Sequence, residues 1–159
     1  MGQARPRTTD IRQATDQDIE ALRAIDPLLL REGDRSRHLV HAVAAGQCHI
    51  LQEGSAACAY GVLTDQFFHQ RFIALLIVAD ERRNRGLGTI MLRHLRALCP
   101  TAKLFTSTNL SNVGMQRLLL REGFIQSGVI LHLDENDPEL VFHSPACSAG
   151  PFKAPEDGF

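Results

Sequence analysis

Tryptophan is absent from this chain, and tyrosine occurs once, as Tyr60. No apolar run approaches the roughly 20 residues that a membrane-spanning helix needs, so no membrane partner is expected. The opening residues, Met-Gly-Gln-Ala-Arg-Pro, have no apolar segment of the secretory kind. Pro6 stands where an N-myristoylation signal wants Ser or Thr. The four cysteines (Cys48, Cys58, Cys99 and Cys147) form no Cys-x-x-Cys pair, and the seven histidines form no His-x-x-x-His pair beside a carboxylate. No metal is expected. No Cys48–Cys58 disulfide is expected either, in a chain expected to be cytoplasmic and reduced. His38 and His41 read as helix-surface residues. An excess of one charge is lacking too. Lys and Arg number 17 against 18 Asp and Glu, a net charge of −1, which speaks against the uniformly basic surface of a nucleic-acid binder.

What is present is the composition of a globular protein, 44% hydrophobic and 22% charged over 159 residues, long enough for one domain with its own core. One stretch, 73–92, organises the rest. An apolar, β-branched run ends at Val78, a polar basic turn follows, and Gly86 and Gly88 open an amphipathic helix. The first amides of a helix have no intrahelical partners. With the positive end of the helix dipole they make an anion site, and glycine lets a phosphate approach the main chain. Arg82, Arg83 and Arg85 are expected to add positive charge there. The plainer reading is a strand–helix connection with a solvated basic turn. No Gly-x-x-x-x-Gly-Lys-Ser/Thr loop and no early Gly-x-Gly-x-x-Gly βαβ unit occurs.

Around this stretch the sequence predicts a lead-in over 1–9, a domain over 10–143 and an irregular tail over 144–159. Within the domain it predicts a strand at 10–14 and a helix at 16–25, with Thr15-x-x-Asp18 close to a capping box. Pro27 is expected to break the chain before a second helix over 35–45, stopped by Gly46. Strands follow at 48–52 and 57–63, then an aromatic connection over 65–70 and an apolar strand at 71–78. That strand is expected to be covered on both faces. A helix over 86–98, a strand at 103–108, a helix from Ser111 or Asn112 to Glu122, and strands at 124–131 and 140–143 complete the order. The resulting pattern, β-α-α-β-β-β-α-β-α-β-β, predicts an α/β (α+β) single domain. Its mixed central sheet has about seven strands and carries helices on both faces, because the β-α-β crossover forces one parallel pair.

The spacing Arg83-x-x-Gly86-x-Gly88 after Val78 resembles the acyl-CoA-binding motif Gln/Arg-x-x-Gly-x-Gly/Ala of the GCN5-related N-acetyltransferase (GNAT) family. Asn112-x-x-Met115, followed by Leu118-Leu119-x-x-Glu122-Gly123-Phe124, resembles that family's helix after the fifth strand. The element order matches over about 10–143. The resemblance implies an acyl-CoA N-acyltransferase-like fold whose fourth and fifth strands splay apart, with the pantetheine arm of acetyl-CoA in the gap. It implies that the main chain of Ile77 and Val78 holds the arm, the Val78 amide polarising the thioester carbonyl. Arg83, Asn84, Arg85, Gly86, Leu87, Gly88 and Thr89 would wrap the pyrophosphate, and Asn112 would lie near the pantetheine or the acceptor. The implied reaction is direct transfer of an acetyl (acyl) group from acetyl-CoA to a primary amine, small-molecule or peptide. Many members of the family dimerise, so a homodimer is implied as well.

An alkyl ammonium has a pKa of about 10.4, so such an enzyme needs a proton acceptor. Tyr60, His69, Ser111 and Glu139 are the residues considered for proton handling or for a hydrogen bond to the leaving thiolate. Each also reads as an ordinary sheet, turn or cap residue. The family's tyrosine acid on the last helix matches Leu119 here. Phe67, Phe68 and Ser107 are the expected acceptor-binding residues, beside the acidic turn of Asp134, Glu135 and Asp137. Cys58 and Cys99 read as core residues, not as acyl carriers. The rival reading is an acyl-CoA-binding sensor module on the same fold, without efficient turnover.

Overall fold

The computed structural model describes residues 8–100 and 103–145. The N-terminal lead-in through residue 7 and the tail from 146 onward, which includes Cys147, lie outside the described residues. Seven strands form one sheet: β1 (Thr9–Gln13), β2 (Cys48–Glu53), β3 (Ala56–Phe67), β4 (Gln70–Val78), β5 (Leu104–Asn109), β6 (Ile125–Asp134) and β7 (Asp137–Ser144), in the spatial order β1-β2-β3-β4-β5-β7-β6. Every neighbouring pair is antiparallel except β4 and β5, the pair joined by the crossover helix. The helices are α1 (Ile19–Ile25), α2 (Leu28–Arg31), α3 (Gly33–Ala44), α4 (Leu87–Ala97) and α5 (Val113–Arg121).

The expected element order and mixed sheet are therefore present, and three local expectations change. Pro27 does not end helical structure: it caps the short α2, and α3 begins at Gly33, before Arg35. The aromatic connection over 65–70 is instead strand. β3 runs through Phe67, and a two-residue turn, Phe68-His69, returns the chain into β4. Both turn residues have positive φ, 51° and 60°, as the tightest hairpins require. β6 and β7 likewise extend further than expected, closing over Glu135 and Asn136.

Two buried clusters lie on opposite faces of the sheet. On one, α4 and α5 bring Met91, Leu92, Leu95 and Leu119 onto Leu51, Leu63, Ile73, Leu104 and Phe142. Gly61 permits close approach here, since a Cβ at that position would stand 2.7 Å from Leu95 Cδ1. On the other face, Leu22, Leu29, Leu39 and Val43 cover Cys48, Ile50, Tyr60 and Val62. This second cluster draws no residue from β5, β6 or β7. That half of the face carries no helix of the described residues in its core.

Polar ties hold the first helices to the sheet. Arg12 on β1 donates twice to Asp18, at 2.8 Å each, while Asp18 Oδ2 accepts the Thr15 amide at 2.7 Å. The guanidinium, and then the Thr15 donors, hold the Asp18 carboxyl well below the usual carboxylate range against the opposing effect of burial.

Candidate functional site

The site begins with an irregularity in β4. Val62 and Leu63 are consecutive on β3, yet their partners on β4 are Leu75 and Ile73, so Ala74 is an inserted residue. Such a bulge bends its strand and increases the local twist. It also resets the side-chain alternation. Ile73 and Val78 both pack toward α4, although an unbroken strand would place them on opposite faces.

Pairing between β4 and β5 stops at the same place. Arg71, Phe72 and Ile73 pair with Leu104, Phe105 and Thr106, and no pair follows. Thr106 Oγ1 donates to the Ile73 carbonyl at 3.0 Å, closing the crotch of the fork. Past it, residues 74–78 have no strand partner on the β5 side. This half of β4 is consequently only partly buried, not covered on both faces.

At the open end of the fork, α4 starts without any side-chain cap and with no acidic residue in its first turn. Gly86, at its N-cap, has φ 78°, and a Cβ there would meet nothing within 4 Å. A Cβ on Gly88 would instead stand 3.4 Å from Leu118 and 3.6 Å from Val78, narrowing the space between β4 and α5. Leu76, Ile77, Val78, Arg83, Gly88 and Leu118 are among the residues around a cleft of about 380 Å³. Asn84, Gly86, Leu87, Thr89 and Asn112 line the same cleft. Asn112 also caps α5, accepting from the Met115 amide at 3.1 Å.

The arginines behave differently from expectation. Arg82 and Arg85 both reach Glu53, at 2.8 and 3.2 Å, and Arg83 pairs with Asp80 at 2.9 Å. Two carboxylates thus offset part of the charge of these three arginines, and Arg85 does not line the cleft. Arg121 also lines the cleft and makes no ion pair among the described residues, so the cleft's positive character combines that guanidinium with the uncapped amides of α4.

The proton-handling candidates separate clearly. Tyr60 is fully buried, and its hydroxyl donates to Asp26 Oδ2 at 2.7 Å. Burial, reinforced by the bond to Asp26, pushes its pKa up, so it keeps its proton and anchors the α1–α2 corner. Ser111 donates from both its amide and its hydroxyl to Asp137, at 2.9 and 2.5 Å. His69 is exposed at the β3–β4 turn, before the bulge. Glu139 on β7 lies opposite Asn109, on the β5 face that also carries Ser107 and Phe105. Leu119 is 1% exposed and packs in the core, so that point on α5 offers the cleft no polar group.

A second, larger groove of about 920 Å³ lies between α3 and the sheet. It meets β4 at Ala74 and Leu75, immediately before the cleft-lining Leu76. The two depressions are thus consecutive along one strand, with the bulge at their junction. Phe67 lines this groove, whereas Phe68 is 83% exposed at the turn tip. His38 and His41 are exposed on α3, as expected of helix-surface residues, and also border this groove. Their three-residue spacing on one helix was the available signal; the sheet opposite them was not readable from sequence.

The profile described as acetyltransferase (GNAT) family matches residues 11–124. The chain belongs to the GNAT family. Among solved structures, a GNAT acetyltransferase from Bacillus cereus is 32% identical with a TM-score of 0.78, over 86% of this chain and 96% of that one. Arabidopsis thaliana Naa50, solved with the bisubstrate analogue CoA-Ac-MVNAL, has a TM-score of 0.70 at 16% identity, over 86% and 97%. The Escherichia coli ribosomal-protein-S18-alanine N-acetyltransferase has a TM-score of 0.65 at 15% identity, over 92% and 99%. No curated protein matches. For this GNAT chain the fold and the acetyltransferase family are thereby established. No helix of the described residues is long and apolar enough to cross a membrane.

Proposed function

We propose that this protein transfers an acetyl group from acetyl-CoA directly to a primary amine. One observation carries the reading: the Ala74 bulge opens β4 away from β5 beside an uncapped helix start. The residues present fit the donor. A diphosphate takes the free amides at the start of α4, where Gly86 leaves open space, and an extended arm lies along the unpartnered edge of residues 74–78. Acetyl-CoA, when bound, supplies a thioester carbon open to attack by an amine, with a thiol as the leaving group.

The chain's own residues bind, orient and move a proton. The Ile77 and Val78 main chain guides the arm nearest the phosphates. The Ala79 amide bonds to the Cys58 carbonyl on β3, so by alternation the Val78 amide faces the fork and is the donor proposed for the thioester carbonyl. Arg83, Asn84, Leu87, Gly88, Thr89 and Asn112 complete the donor site; Arg85 contributes by neutralising Glu53. Among the four candidates, Glu139 is the group left to accept the amine's proton, directly or through water: Tyr60 and Ser111 are bonded to carboxylates, and His69 sits at the exposed β3–β4 turn. Ser107 stands next along the same face of β5.

The test pairs calorimetry with a thiol-release assay. The wild type binds acetyl-CoA and releases thiol when an accepted amine is added. Gly86→Val reduces CoA affinity by about 10-fold or more, since a β-branched residue must adopt a left-handed backbone and its side chain fills the cradle. Binding with no thiol release for any amine would identify a sensor module instead, and unchanged affinity in the variant would remove the cradle.

A further inference from the structure

We infer that the acceptor is a small aromatic amine, its ring seated on a phenylalanine platform and its ammonium drawn to Glu32. The inference rests on the acyl-transfer reading above and adds the substrate class. The platform is built across three strands. Phe67 on β3 and Phe72 on β4 stack with centroids 4.8 Å apart and planes at 16°, and Phe105 on β5 stands 5.3 Å from Phe67. All three are only partly buried. Phe67 and Phe72 face the groove between α3 and the sheet, while Phe105 lies on β5 beside them, so part of this cluster borders space a ligand can occupy. Flat rings prefer offset or edge contacts with other rings, adding discrimination beyond buried area.

The platform adjoins the chemistry. Phe67 and Phe72 line the groove that reaches β4 at Ala74, the bulge residue at the crotch of the fork. Ala74 is exposed and has the smallest side chain of the strand, so it leaves a gap through which an amine on a short linker can enter. Charge in the groove favours a cation. Arg35 lines it, but its guanidinium is held by Asp26 at 3.0 and 3.2 Å. Asp34 is paired with Arg37. Glu32 is the lining carboxylate that makes no ion pair among the described residues, so its charge remains for a ligand.

The experiment compares 2-phenylethylamine and tryptamine with n-butylamine, spermidine and a peptide bearing a free N-terminus. Both thiol release and binding to the CoA-saturated protein are measured. The expected result is kcat/KM for the aryl amines at least about 10-fold above the others. Phe72→Ala and Phe67→Leu abolish that preference, and Glu32→Gln raises KM, with CoA affinity unchanged in all three; the phenylalanine variants lose some thermal stability because the stacked pair is broken. Aryl-amine binding that depends on Phe72 and Phe67 but yields no thiol supports the platform while refuting the transferase reading. Turnover of spermidine, butylamine or the peptide without an aryl preference overturns the platform and leaves acyl transfer standing. No aryl-amine binding at all also overturns it, as does a preference that survives both phenylalanine substitutions.

Discussion

Tyr60 shows how a residue's role is set by its neighbours. As the chain's single tyrosine it invites a catalytic assignment, yet in the fold it is sealed from solvent and spends its hydroxyl on Asp26. Asp26 itself is 2% exposed and also accepts from Arg35 and from the Leu28 amide. Replacing Tyr60 by Phe removes one donor from a buried carboxylate, which costs about 1–3 kcal/mol. Urea denaturation should show this as a lower midpoint, while CoA affinity stays at the wild-type value. Glu139 presents the opposite case. Glu139→Gln keeps the size and removes the proton acceptor, so kcat should fall by about 100-fold or more with CoA affinity unchanged. A pH–rate profile that keeps its wild-type shape in that variant would remove Glu139 from the proton path.

Between elements, two junctions carry polar groups that respond to pH. His49 on β2 and His94 on α4 meet at 3.0 Å, one ring nitrogen donating and the other accepting. Burial lowers the pKa of both, and for His49 the charges of His94 and Arg71 lower it further. A depressed histidine contributes stability above its unfolded value of 6.5 and loses it as pH falls through the folded value. The α4–α5 junction has the same sense at a lower pH. Arg93 and Arg96 hold the Glu122 carboxyl below its usual 4.5, so its contribution disappears only on stronger acidification. Thermal midpoints should therefore be flat above about pH 7 and decline in a first step below 6.5, with a second in the carboxylate range. His94→Gln should shrink the first step and leave the second; an unchanged first step would assign it to other groups.

For the molecule as a whole, the pairing of Arg82 and Arg85 with Glu53, and of Arg83 with Asp80, changes how the donor should be held. Screened attraction between unpaired arginines and phosphates would make affinity strongly salt-dependent. Main-chain amides at a helix start carry only partial charges. With Arg121 the cleft arginine outside those pairs, CoA affinity should fall by no more than about 10-fold between 50 and 500 mM salt; a much steeper fall would return the main role to Arg82, Arg83 and Arg85. The element order, the crossover helix and the glycine turn were readable in sequence, because they rest on local periodicity and on residues with special backbone freedom. The short α2, the Phe68-His69 hairpin and the length of β3 were not, because turn residues without glycine or proline carry little local signal. What the sequence determined by itself was the architecture, the uncapped glycine turn and the family to which they point. What only the tertiary structure decided was the bulge at Ala74, the pairing of the arginines with carboxylates, and the groove beside the fork. The bulge, the two arginine bonds to Glu53 and the groove depend on which distant residue stands opposite, and the chain's own order does not encode that locally; the Asp80–Arg83 pair, three residues apart, is the local exception.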